Sequence, residues 1–151
     1  MEPRFDAYCG LYCGSCTAFM ATKENSVKEL AARWRKEEDD VRCRGCKSDT
    51  VASFCRTCGL KACARQKGLE FCFQCEDYPC DRLDEFRNSA QYPYHIEVYD
   101  YLQTIKQYGV GYWLEAMKSR WSCAACGREH DWFTPVCPAC GGRLNTYKKP
   151  T

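Results

Sequence analysis

The amino-acid sequence predicts a small, α-rich, metal-stabilised fold, with short helices set around cysteine-rich loops and a β ribbon in its C-terminal part. Three observations predict it. The chain has 151 residues and 15 cysteines, a density that signals either a disulfide framework or a set of metal sites. Its apolar residues recur at helical spacing, but only in short runs. Its last four cysteines stand in two C-x2-C-G turns separated by ten residues.

Compartment decides between disulfides and metal. The start "MEPRFDAYCG" lacks the basic opening and the run of roughly 7 to 15 apolar residues of a secretory signal. No stretch approaches the ~18 uncharged apolar residues of a membrane span. The expected location is cytoplasmic, without membrane association, where thiols stay reduced and clustered cysteines hold metal. Fifteen is also odd, so complete pairing within one chain is impossible.

The helices follow in order. "NSVKELAARWRKEED" places Ser26 three residues before Glu29, a capping-box spacing, and repeats Val27, Leu30, Ala31 and Trp34 on one face, which predicts a helix from about residue 27 to 39. "CDRLDEFRNS" follows Pro79 and offers Asp81 as a cap, with Leu83 and Phe86 on one face of a two-turn helix. "YPYHIEVYDYLQTIKQYG" carries Ile96, Tyr99, Leu102 and Ile105 at helical spacing and stops at Gly109, and "VGYWLEAMKSRW" follows it. These two predict a helical hairpin about the Gly109 to Gly111 turn. Between residues 40 and 80 periodicity is poor, and metal is expected to replace the missing core.

The C-terminal cysteines are the clearest constellation. "CAACG" and "CPACG" supply Cys123, Cys126, Cys137 and Cys140, and two such knuckles complete a tetrahedron of thiolates around one ion. This predicts a zinc ribbon, with short strands from "REHDWFTPV" and "RLNTYK" and with Trp132 and Phe133 covering the metal. His130 is expected to be a solvated loop residue, because four thiols already suffice. The chain then divides into a cysteine-rich helical metal-binding domain, 1–120, and the ribbon, 121–151.

The eleven earlier cysteines partition less sharply. The C-x3-C-x2-C stretch "CGLYCGSC" holds Cys9, Cys13 and Cys16, and "CRGC" holds Cys43 and Cys46. Cys13, Cys16, Cys43 and Cys46 are expected to form one tetrathiolate site. Cys58, Cys63, Cys72 and Cys75 are expected to form a second, with Cys80 able to replace Cys58 or Cys63. Cys9 and Cys55 are left as small buried side chains. With the ribbon, about three zinc ions are expected. The C-x3-C-x2-C spacing also suits an iron-sulfur cluster, although the chain is too short for the barrel of about 200 residues or more that radical chemistry uses.

Several of these stretches resemble a known family. "YCGLYCGSC", "CRGC", "CGLKACARQKGLEFCFQCEDYPCDRL" and "YGVGYWLEAMKSRWSCAACG" are together similar to the domain of unknown function 3795 family, small cysteine-rich prokaryotic proteins. "KGLEFCFQCEDYPC" is the most specific piece, and the terminal ribbon is an element that varies among such proteins. Cys9, Cys13, Cys16, Cys43, Cys46, Cys58, Cys63, Cys72, Cys75 and Cys80 fall on the family pattern, and Cys55 is an addition. The resemblance implies metal binding and no established activity.

Charge and motif content bound the function. Residues 41–68 carry Arg42, Arg44, Lys47, Arg56, Lys61, Arg65 and Lys67 against Asp49. These could contact nucleic acid, but no aromatic array accompanies them, and compensation of neighbouring thiolates explains them more simply. No phosphate loop, dinucleotide fingerprint or hydrolase elbow occurs. His95 and His130 are the two histidines, so a Cys-His nucleophile pair is unsupported, and no catalytic residue is assigned. The function expected is a zinc-stabilised module that binds another macromolecule, protein rather than nucleic acid. The alternative is an iron-sulfur or thiol redox protein using the N-terminal cysteines.

Overall fold

Eight α-helices form among residues 4–147, the part of the computed structural model that is described here. They are α1 (Thr17–Lys23), α2 (Val27–Trp34), α3 (Glu38–Val41), α4 (Ser53–Arg56), α5 (Gly59–Lys67), α6 (Asp81–Arg87), α7 (Val98–Tyr108) and α8 (Val110–Arg120). Short 3-10 turns at Cys13–Ser15, Cys72–Gln74 and Pro93–Glu97 link them. Cysteine-rich loops fill most of the intervals. No helix among the described residues is long and apolar enough to cross a membrane.

The helix expected over 27–39 is two helices. Arg35 adopts the left-handed conformation (φ 58°), and the backbone N–H groups of Arg35 and Lys36 close on the carbonyls of Ala32 and Ala31, a helix-ending arrangement. A new helix then starts where Glu38, Asp39 and Asp40 place negative charge in a first turn, favourable toward the helix dipole. The Ser26 hydroxyl makes no cap and lies 3.5 Å from the Ala21 carbonyl. Asp81 is the first residue of α6 rather than its cap, which is Cys80.

Two apolar clusters hold the chain together. The smaller joins α1, α2 and α3 through Ala18, Leu30, Ala31 and Val41, with Ala52 beneath them. The larger gathers Tyr12, Leu60, Leu83, Leu102, Trp113, Trp121 and Trp132. Helices α7 and α8 pack around Gly109 (φ 90°). Their buried residues are Val98, Tyr101, Leu102 and Ile105 on one helix and Trp113 and Met117 on the other. Ile96 is 44% exposed because it precedes the α-helix, in a 3-10 turn whose period is three.

The C-terminal β ribbon is not supported. Among the described residues there is no strand, only isolated antiparallel bridges at Asp6–Tyr12, Ser122–Glu129 and Val136–Arg143. The backbone from 131 to 134 turns instead of extending, because one Asp131 carboxylate oxygen accepts from the N–H groups of Phe133 and Thr134 and from the Thr134 hydroxyl. Such local side-chain bonds compete with a sheet ladder.

The C-terminal segment is fastened to the helices by polar contacts as well. Arg120, at the end of α8, forks onto Glu97 at 2.5 and 2.8 Å, and the Tyr147 hydroxyl donates to the same carboxylate at 2.7 Å. Arg120 beside it holds the Glu97 carboxyl below the ordinary carboxylate range, with Tyr147 assisting. Lys23 of α1 pairs with Glu129 at 2.5 Å.

Candidate metal centre

Two backbone loops of the same design form the C-terminal site. In the first, the Cys123 N–H donates to the Arg128 carbonyl and the Gly127 N–H returns to Cys123; in the second, Cys137 bonds to Gly142 and Gly141 to Cys137. Gly127 (φ 82°) and Gly141 (φ 77°) take the left-handed turn that an L side chain resists. The loops bring Cys123, Cys126, Cys137 and Cys140 together with all four Sγ atoms within 4.8 Å of one another. Cys123 and Cys140 approach to 3.5 Å, and Cys126 and Cys137 to 3.6 Å.

Those distances match ion coordination. Four sulfurs at about 2.3 Å from a tetrahedral centre lie about 3.8 Å apart. The backbone N–H groups of Cys126 and Ala125 point at the Cys123 sulfur and lower its pKa to about 7, which favours the thiolate that a metal requires. Leu144 covers the inner pair, Cys123 and Cys137. This four-cysteine cluster can hold a metal ion.

Trp132 and Phe133 do not cover this site. Trp132 belongs to the main core, 5% exposed, and stacks on Tyr94 with ring centroids 4.0 Å apart. Its backbone N–H donates to the Ser15 carbonyl at 3.3 Å. His130 is buried rather than solvated, with 4% exposure. Its backbone N–H is tied to the Trp121 carbonyl, its Nδ1 lies 2.8 Å from the Asp131 carbonyl, and its ring meets Trp121 edge-on.

The N-terminal cysteines are arranged differently. Among the described residues, the C-terminal quartet is the one group of three or more ligand-type side chains drawn within 4.8 Å. Cys13, Cys16, Cys43 and Cys46 instead line a cavity of about 420 Å³, which Cys9, Cys55 and Cys58 also face. Burial pushes the thiols of Cys9 and Cys13 well above their usual range, and that of Cys16 up to about 11. Neighbouring cysteines add to the effect, Cys46 foremost beside Cys9 and Cys13.

Cys58 lines the cavity of the first group and also neighbours Cys72 of its expected partners. Cys72 has Cys80 and Cys63 as its leading thiol neighbours, followed by Cys58 and Cys75. This suits Cys80 in the place first given to Cys58. Cys75 is the odd member, since Lys67 reaches its sulfur at 3.0 Å and draws its pKa down.

Much of the basic charge of residues 41–68 is already engaged. Lys47, with a side chain 3% exposed, bonds to Asp6 at 2.8 Å and Glu70 at 3.1 Å. Arg42 pairs with Asp39, Arg56 with Asp40 and Lys67 with Asp77, while Arg65 donates to the Tyr8 hydroxyl. Lys61 is buried and lies near Cys46.

Fold and site together define a helix-rich, cysteine-rich protein with a four-thiol site that could take a metal ion. The chain belongs to the family described as "Protein of unknown function (DUF3795)", which it matches over residues 5–85. The matched region ends within α6, so the hairpin and the four-cysteine cluster lie outside it. No curated protein and no solved structure matches the chain.

Proposed function

We propose that the protein is a metal-stabilised interaction module, with zinc in the Cys123, Cys126, Cys137 and Cys140 site and another protein as its partner. The observation carrying this reading is the ion-sized spacing of those four sulfurs, which suits the closed, four-coordinate geometry of a structural zinc. In this reading residues 121–151 form a metal-closed unit docked on 1–120 through Trp132 and the Lys23–Glu129 pair. Zinc sets the two loops, the loops place Trp132, and the docked surface is held rigid for recognition.

Engagement of the basic side chains by neighbouring acids favours a protein partner over nucleic acid. Contacts to several phosphates need available cations and make affinity fall steeply with salt. The decisive experiment is metal analysis of purified full-length protein and of Cys126→Ser. One zinc equivalent lost in the variant is expected; unchanged zinc content would overturn the assignment. A salt titration with single-stranded and duplex oligonucleotides tests the partner, and tight, steeply salt-dependent binding would overturn the protein-partner reading.

A further inference from the structure

The seven thiols around the 420 Å³ cavity come from three separate segments: the Cys9, Cys13, Cys16 motif, the Cys43–Cys46 turn, and the Cys55–Cys58 pair at α4 and α5. The chain thus builds two kinds of thiol site. One is closed to the size of an ion. The other is a cavity of about 420 Å³ lined by cysteines that are not gathered into an ion-sized group as the C-terminal four are. A single tetrahedral zinc takes four sulfurs about 3.8 Å apart, whereas seven cysteines line this cavity.

A second feature is independent of width. The Gly45 backbone N–H donates to the Cys43 sulfur at 3.4 Å, in a buried position. A thiol is a weak acceptor, whereas such bonds tune the metal-bound sulfurs of clusters. Phe86, Tyr94, His95 and Trp132 also line the cavity and give it an aromatic wall.

We infer that this cavity binds a polynuclear iron-sulfur cluster, ligated by cysteines of the Cys9–Cys16 motif together with Cys43, Cys46, Cys55 or Cys58. In a cluster each thiolate binds a different iron, with sulfide between the irons, so ligands stand farther apart than around one ion. Each ligating thiol gives up its proton as the iron–sulfur bond forms. The inference goes beyond the zinc reading of the C-terminal site and does not depend on it.

The test uses the full-length chain, purified without oxygen and incubated with ferric iron, sulfide and an excess of a thiol reductant, which supply the ferric and ferrous iron of an oxidised cluster. Iron and acid-labile sulfide in about equal amounts, with visible absorption that bleaches on reduction, are expected. Cys13→Ser and Cys46→Ser are expected to lose at least half of the bound iron, whereas Cys126→Ser keeps the colour and loses zinc. Should a cage variant fail to fold, alkylation of the wild-type chain with and without cluster keeps the question open to refutation. Protection of Cys9, Cys13, Cys16, Cys43 or Cys46 supports the cluster. Absence of iron binding, zinc filling the cage in its place, or protection confined to Cys63, Cys72, Cys75 and Cys80 overturns it. Zinc at the C-terminal site is scored separately, so either assignment can fail alone.

Discussion

Replacing Trp132 by alanine isolates the joint between the C-terminal loops and the helical body. The indole is 5% exposed, stacks on Tyr94 at 4.0 Å and lies outside the four-cysteine cluster. Truncation removes about 200 Å² of buried apolar surface, which at about 25 cal/mol per Å² is about 5 kcal/mol as an upper figure. Measured Trp-to-Ala changes in cores cost about 3 to 5 kcal/mol. The backbone bonds at this position, from the Trp132 N–H to Ser15 and from Tyr147 and Thr146 to the Trp132 carbonyl, survive the change. Urea unfolding followed by circular dichroism, with zinc measured on the same sample, is the assay. With a slope of roughly 1 to 3 kcal/mol per M, the midpoint should fall by about 1 to 5 M at unchanged zinc content. A loss under about 1 kcal/mol would show that the C-terminal loops sit on the helices without being held by them. Trp34→Ala, at a position 37% exposed, serves as the comparison and should cost about 1 kcal/mol or less.

Two further predictions follow from the same packing. Cys137→Ser should release the C-terminal metal and, by freeing Trp132, also weaken residues 1–120 by up to the cost of Trp132→Ala; amide spectra restricted to changes beyond residue 120 would show the two parts to be uncoupled. His95 is buried, stacked on Phe86 at 3.6 Å, and burial depresses its pKa to about 4, against about 6.5 in the unfolded chain. The unfolded state therefore binds the extra proton, so this stability is present above pH 6.5 and is lost as pH falls toward 4. Between pH 7 and pH 5 the loss is about 2 kcal/mol, and His95→Gln should show a correspondingly flatter profile at equal metal content. Parallel profiles for the two proteins would exclude His95 as the source.

The sequence made some of this legible for clear reasons. The hairpin α7–α8 was readable because Gly109 interrupts two amphipathic runs, and the C-terminal thiol site because each C-x2-C-G turn is local in the chain. The helices α1, α4 and α5 were hidden, since each is short and interrupted or bordered by cysteines whose apolar character masks any stripe. The break at Arg35 depends on a non-glycine residue taking φ 58°, which no residue type there announces. Partition of the N-terminal thiols is a matter of long-range contact. Cys58 is close to Cys63 in sequence, yet it neighbours Cys9 and Cys46 as well as Cys72. The expected strands failed because Asp131 bends the segment that was to extend.

Lys47 has a consequence of a practical kind. Its amine is held between Asp6 and Glu70, 3.9 Å from the centre of the Phe71 ring and 5.0 Å from that of Tyr8, with a side chain 3% exposed. An acylating reagent can reach it only when the N-terminal segment parts from the loop around residue 70, whereas an exposed amine such as Lys28 reacts at once. Mass spectrometry of acylated peptides would then turn this one side chain into a clock for local opening, timing how often the first cysteine-bearing segment lifts from the rest.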